Sequence, residues 1–445
     1  MEAHADWRAY FKGKKVTVMG LGLLGRGVGD AAFLSDCGAI VTVTDLKDDT
    51  KLAASIAQLK TYPNITYHLG GHIESDFTGA DLVIKAAGVK LDSPYIHAAR
   101  EAGVQVAMST ALFAQFASAM GATIVGVTGT RGKSTVSHMI YHSLIRANRR
   151  TVLGGNVRGL STLAMLPEML QGDVAVLELD SWQLQGFGDL QISPNIAVFT
   201  NLMPDHQNYY PDTGAYFADK ANIFTHQKPG DALFIGTDII ERVRAAHPVN
   251  EPTVPGELAP DWELRILGQH NRINGSFAAA VLLRLGLNIE EIRAGIESFD
   301  GVEGRLQYLG LANGVRVFND NNATTPEATI AALKALDQGR RDIVLIAGGA
   351  DKNLALDVLT DEIQKTCKAV LLLAGSGTDR LKPLLGDPMV FQTLETAVDS
   401  AFDAAQFGDA VLFSPAFASF SSYVNEYERN DHFISLVRPR IEDER

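Results

Sequence analysis

Short apolar, β-branched runs recur along this 445-residue chain and are separated by longer helical stretches. Examples are Lys15–Met19, Ile40–Thr44, Leu82–Lys85, Thr123–Thr128, Val174–Leu179, Ile196–Thr200, Val315–Asn319, Asp342–Ala347, Ala369–Ala374 and Ala410–Ser414. Strands that are apolar throughout, rather than alternating, belong to parallel sheets covered by helices on both faces. The fold class this pattern predicts is α/β. A helix is expected from about Ser109, read as its N-cap, before the strand at Thr123. Another, Ile289–Phe299, precedes Asp300-Gly301, and alternation restarts at Val315. These breaks predict three domains, near 1–111, 112–301 and 302–445.

Two glycine loops say what such sheets carry. Lys15–Met19 runs into Gly20-Leu21-Gly22-Leu23-Leu24-Gly25 and then a helix, and Asp45 ends the next strand. That is dinucleotide-binding spacing: glycines let the backbone approach a pyrophosphate, and the helix N-terminus supplies free N–H groups. It indicates a nucleotide diphosphate without specifying NAD. Strand Val125–Thr128 leads into Gly129-Thr130-Arg131-Gly132-Lys133-Ser134-Thr135 and a helical run from Val136 to Arg146. This is a phosphate loop, with Lys133 for the β/γ oxygens and Ser134 or Thr135 in reach of Mg²⁺. Val127 stands where the standard pattern has its first glycine, so the loop is a variant. Glu178 and Asp180 follow a strand, as do Asn201, Asp205 and His206, and ligands of parallel sheets bind at that edge.

The net charge of -13 argues against a long nucleic-acid-tracking surface. Two distant cysteines, Cys37 and Cys367, read as free thiols of a reducing compartment. The N-terminus lacks an apolar signal core, and no run reaches the ~18 apolar residues of a membrane span. The expectation is a cytoplasmic protein without membrane or nucleic-acid partners.

Taken in order, these motifs resemble the Mur ligase family, and within it the branch that adds glutamate to UDP-N-acetylmuramoyl-L-alanine. The resemblance rests on Gly129–Thr135, Gly154-Gly155-Asn156, Glu178-Leu179-Asp180-Ser181-Trp182-Gln183-Leu184, Asn201…Asp205-His206 and Gly268-Gln269-His270-Asn271-Arg272-Ile273-Asn274. It continues through Asn319-Asp320…Ala323-Thr324, Gly348-Gly349…Asp351-Lys352 and Ser414-Pro415-Ala416…Ala418-Ser419. Lys85-Ala86-Ala87-Gly88 is similar to the family's Ser-Pro-Gly turn only loosely.

The resemblance implies a Rossmann-like N-terminal domain, a central phosphate-loop ATPase-type domain and a Rossmann-like C-terminal domain. The first would hold a UDP-sugar through Gly22, Leu23, Leu24 and Asp45, with Asn156 assisting. ATP would lie on Gly129–Thr135, with Asn271, Arg305 and Asp320 at its base, ribose and phosphates; Asn274 supports Asn271. Two Mg²⁺ ions are implied, with Ser134 and Glu178 at the first and His206 at the second. Lys220 aligns with a lysine that the family carbamylates, becoming a metal ligand or shield. Thr324, Lys352 and Ser419 would hold the incoming amino acid. The implied reaction is ATP-dependent acid–amino-acid ligation through an acyl phosphate, with Lys133, His206 and Lys220 catalytic. The implied enzyme is a monomer whose domains close about a hinge near Gly301.

There are four departures from the family pattern: Asp180 for serine, Gly304 for histidine, Asn322 for lysine, and Glu426-Tyr427 for Phe-Glu. Three concern the acceptor domain, so L-glutamate or another amino acid competes with D-glutamate. A nicotinamide-dependent oxidoreductase built on Gly20–Gly25 leaves the phosphate loop without a role. A non-catalytic nucleotide-binding relative is opposed by the retained Lys133, Glu178, His206 and Lys220.

Overall fold

The computed structural model describes residues 6–23, 25–203, 209–419, 423 and 425–441. Leu24 and His206, both expected at sites, lie outside the described residues. Three sheets are carried by two compact units. One unit runs up to Glu257 and takes in Asn274–Gly295; the other comprises Leu258–Ile273 and Ile296–Arg445.

The first unit holds two five-stranded parallel sheets. Sheet 1 contains β1 (Lys15–Met19), β2 (Ile40–Asp45), β3 (Ile65–Leu69), β4 (Leu82–Lys85) and β5 (Gln105–Ala107), ordered β3-β2-β1-β4-β5. Sheet 2 contains β6 (Thr123–Thr128), β7 (Thr151–Gly155), β8 (Val174–Glu178), β9 (Ile196–Phe199) and β10 (Ala232–Ile235), ordered β10-β9-β6-β8-β7. The sequence explains the order. Central β8 and β9 are buried at every residue, as strands covered on both faces must be. Both sheets contribute to one apolar core, in which Phe11, Phe33 and Phe116 pack edge to face. The second unit has one six-stranded sheet. Its strands are β11 (Gln307–Ala312), β12 (Val315–Asn319), β13 (Ile343–Gly348), β14 (Cys367–Leu373), β15 (Val390–Phe391) and β16 (Ala410–Phe413), ordered β11-β12-β16-β13-β14-β15. It is parallel except for β11, which pairs antiparallel with β12.

One local expectation is corrected. Ser109 is the first residue of the helix Ser109–Ala119, and Met108 is its N-cap. Its hydroxyl serves another partner: Ser109 and Ser161 both hydrogen-bond the carboxyl of Asp30, with Ser161 Oγ at 2.6 Å. Burial pushes the Asp30 carboxyl up to about 6, partly offset by those hydroxyls and by Arg26. A folded-state value above the unfolded 3.8 means that ionised Asp30 opposes folding. The penalty, about 3 kcal/mol, is full above pH ~6, fades as pH falls and is gone below the unfolded value. Asp30→Asn is therefore expected to melt higher than wild type at pH 7.5, with the gap closing towards pH 4. Equal melting temperatures at pH 7.5 would contradict the assignment. Among the described residues, no helix is long and apolar enough to cross a membrane.

Candidate functional site

The phosphate loop leaves β6 at Thr128 and enters the helix Lys133–Arg146 at Gly132. Two glycines are required by geometry. Gly129 has φ +143°, and a Cβ there would meet Thr200 Oγ1 at 1.9 Å. Gly132 has φ +85°, and its Cβ would meet Asn274 Oδ1 at 2.5 Å. The segment after β9 clamps the loop. Arg131 N–H donates to Asn201 Oδ1 at 2.9 Å, Thr200 Oγ1 donates to Arg131 O at 2.6 Å, and Met203 N–H donates to Thr130 Oγ1 at 2.9 Å. Asn201, named in the sequence only as part of a motif, is thus a brace for the loop.

The loop has the features of an anion cradle. Helix Lys133–Arg146 has no side-chain cap, so its first N–H groups and dipole face outward. Lys133 Nζ lies over the loop, donating to the carbonyls of Gly129 and Thr130 at 3.0 and 3.1 Å. Ser134 and Thr135 are largely buried in the first turn.

Glu178 ends β8, paired with Val127 of β6 on one side and Gly155 of β7 on the other. It is 3% exposed and stands at the C-terminal end of its strand, beside the strand that carries the loop. A carboxylate oxygen set at the strand edge next to a phosphate loop is a hard donor of the kind Mg²⁺ takes, so these residues fit Mg²⁺ bound beside a polyphosphate. Gly155 is needed because a Cβ there would meet Glu178 O at 2.0 Å. Asp180 has a local reason: its carboxylate caps helix Ser181–Leu190, accepting from Gln183 N at 2.7 Å in a reciprocal capping box.

Lys220 reaches the same place from helix Thr213–Ala221. It is 1% exposed, and Nζ donates to Thr128 Oγ1 at 3.2 Å and Gly129 O at 3.0 Å, over the Tyr216 ring. Beside it, burial raises the Asp219 carboxyl, offset chiefly by hydrogen bonds from Gln185 at 2.7 Å and Tyr210 at 2.9 Å. The loop, Glu178, Lys220 and Asn274 are therefore brought together at the C-terminal edge of sheet 2.

At the same edge of sheet 1, Asp45 accepts from Gly22 N–H at 3.1 Å and Lys47 N–H at 2.9 Å. It fastens the first glycine loop, while Leu23 is exposed. Asn156 Oδ1 accepts from Arg26 Nη2 at 2.8 Å, so the loop after β7 is joined to the helix Arg26–Asp36 of the first glycine loop. Sequence reasoning missed Lys85 as a buried charge. It is 1% exposed at the end of β4 and donates to Val89 O at 3.0 Å. Burial pushes its ammonium down to about 8 against the opposing fields of Asp189, Asp180 and Asp219.

In the second unit, Asp320 accepts from Leu306 N–H at 2.9 Å and Ser414 Oγ at 2.7 Å. Lys352 Nζ donates to Thr324 Oγ1 at 3.0 Å. Ser419 is buried, Arg305 is exposed, and buried Asn271 donates to Leu267 O at 2.8 Å. Two departures from the family pattern are one packing arrangement. Gly304 has φ +71°, and a Cβ there would sit 3.1 Å from Asn322 Nδ2. A histidine at 304 and the present Asn322 would compete for the same space.

Comparison with known proteins agrees with this arrangement. The Mur ligase MurD-like N-terminal domain matches residues 14–108, the Mur ligase middle domain 127–254, and the Mur ligase glutamate ligase domain 304–417. UDP-N-acetylmuramoylalanine--D-glutamate ligase from Roseiflexus sp. (strain RS-1) is 37% identical over 469 residues, covering 96% of this chain and 98% of its own. The enzyme of that name from Borreliella afzelii (strain PKo) is 33% identical over 446 residues, covering 94% and 96%. Among solved structures, UDP-N-acetylmuramate-alanine ligase from Thermotoga maritima shares the fold. Its TM-score is 0.62 at 18% identity, over 96% of this chain and 99% of that one.

Proposed function

Because the chain belongs to the Mur ligase family, we propose that it joins D-glutamate to UDP-N-acetylmuramoyl-L-alanine at the expense of ATP. The observation that carries this reading is the convergence of Lys133, Glu178 and Lys220 on one glycine loop. It is supported by near full-length relatives that bear the name of that activity.

A carboxylate is a poor electrophile because its leaving group would be oxide. ATP supplies the phosphoryl group that converts the alanyl carboxylate into an acyl phosphate; the glutamate amine then attacks and phosphate departs. Little covalent work falls to the protein, so positioning and charge neutralisation dominate. In this reading Gly129–Thr135 hold the phosphates, with Asn271, Arg305 and Asp320 on the rest of the nucleotide. Gly22, Leu23, Leu24, Asp45 and Asn156 hold the UDP-sugar, and Thr324, Lys352 and Ser419 the acceptor. Ser134 and Glu178 would hold one Mg²⁺, and His206 with carbamylated Lys220 a second. We also place domain boundaries near residues 111 and 301.

The test is product identity. Incubation with ATP, Mg²⁺, UDP-N-acetylmuramoyl-L-alanine and D-glutamate is expected to give a nucleotide-sugar one glutamyl residue heavier. Oxygen-18 placed in the alanyl carboxylate should appear in the released phosphate. Product formation without label transfer would remove the acyl phosphate; product with a different amino acid would reassign the acceptor.

A further inference from the structure

The three residues assigned to the acceptor stand on three separate segments after β12, β13 and β16. Two of the three connections between those segments are already described or simple. Lys352 meets Thr324. Ala350 and Ala418 exchange backbone hydrogen bonds of 2.9 and 3.1 Å, joining the segments after β13 and β16. The third is made by the backbone, where Ala416 N–H donates to Ala323 O at 2.8 Å, and by a guanidinium beside it. Arg429, on helix Glu426–Val437, donates from Nε to Asn321 Oδ1 at 2.8 Å and from Nη2 to Asn321 O at 2.9 Å. Its Nη1 donates to Phe417 O at 3.4 Å. It therefore adds a side-chain tie between the segment carrying Thr324 and the segment carrying Ser419.

This is an expensive way to join two loops. Arg429 is 2% exposed, and all three of its acceptors are neutral oxygens. No carboxylate among the described residues pairs with it; Glu426 and Tyr423 act on it only through longer-range fields. Burial lowers its pKa to about 10, so it stays charged at neutral pH. A buried cation without an ion-pair partner costs free energy that a neutral hydrogen-bonding side chain would not. The charge borders a cavity of about 240 Å³ that Ser419, Gly348 and Gly349 also line. Across it, Glu395 is already paired with His432 at 3.0 Å.

We propose that Arg429 is the positioning residue of the acceptor pocket, holding Asn321 and Phe417 so that Thr324 and Ser419 face one amino acid, and that its charge biases the pocket toward an acidic one. The proposal rests on the glutamate-ligase reading above. ATP contacts should be spared, because Asp320 is held independently by Leu306 N–H and Ser414 Oγ.

The test is steady-state kinetics of the full-length enzyme with D-glutamate and ATP varied separately. Arg429→Met is expected to raise KM for glutamate at least about tenfold, the size usual for hydrogen bonds from a charged group. KM for ATP should stay within about twofold. Arg429→Lys, which keeps the charge without the fork, should fall between Met and wild type. Asn321→Ala removes one acceptor, keeps the arginine and should raise KM for glutamate severalfold; with Arg429→Lys it decides the matter if the Met variant does not fold. KM for glutamate within about twofold of wild type in the folded variants would overturn the role, as would parallel rises in both KM values. Wild-type turnover with D-glutamate is checked first. Its absence would count against the ligase reading, whereas its presence with unaltered variants would count against Arg429 alone.

Discussion

Lys133→Ala is expected to lose at least about a thousandfold in ATP-dependent phosphate release while melting within a few degrees of wild type. The size follows from what the side chain does. An ammonium over a phosphate cradle stabilises charge that moves during phosphoryl transfer, and removing one such preorganised donor costs about 10²–10³ or more. The stability forecast follows from the surroundings. Lys133 Nζ donates to two loop carbonyls, those of Gly129 and Thr130. The loop itself is held by Gly129, Gly132, Thr200 and Asn201, which the substitution leaves in place. Near-normal phosphate release from the folded variant would remove the phosphate loop from the mechanism.

Lys220→Ala is expected to be almost as damaging, by about 10²–10³, and the manner of its failure is informative. The side chain is 1% exposed and hydrogen-bonds Thr128 Oγ1 and Gly129 O, so truncation leaves a cavity beneath the loop. Part of the loss is therefore mechanical. If the working form is a carbamate, a short carboxylate such as formate or acetate should enter the cavity and restore part of the activity. Lys220→Met, which refills the volume, should lack activity and resist rescue. If Lys220 acts instead as a cation, Lys220→Arg should retain activity and carboxylates should do nothing. Full activity of Lys220→Ala without additives would end either role.

The strands legible in the sequence were those with the physics of burial on both faces. Residues 174–177, Ile196–Phe199 and Ala410–Phe413 are apolar throughout because neither face meets water. Strands β3, β5, β10 and β15 escaped because they are edge or near-edge strands, short or mixed in polarity. Ile65-Thr66-Tyr67-His68-Leu69 is one example. β11 escaped because its antiparallel pairing with β12 is a local hairpin outside the repeating strand–helix pattern.

The site divides in the same way. Gly129–Thr135 and Glu178 stand out because each function lies within a strand and its following turn. Contacts between distant positions leave no local signal. Asn274 seats against Gly132, Arg26 reaches Asn156, Ser161 meets Asp30, and Arg429 grips Asn321 across 108 residues. Asp180 shows the converse: it departs from the family's serine beside the phosphate loop, and its carboxylate has the local task of capping a helix. Ser109, expected as a cap, instead serves the buried Asp30.

The most direct test of the account is phosphate release with ATP, Mg²⁺ and UDP-N-acetylmuramoyl-L-alanine, scanned over D-glutamate, L-glutamate and the other amino acids. The account predicts release that requires all components and is specific to D-glutamate. Turnover with L-glutamate or another amino acid alone would contradict the acceptor while keeping the ligase. No release with any amino acid would contradict the ligase itself.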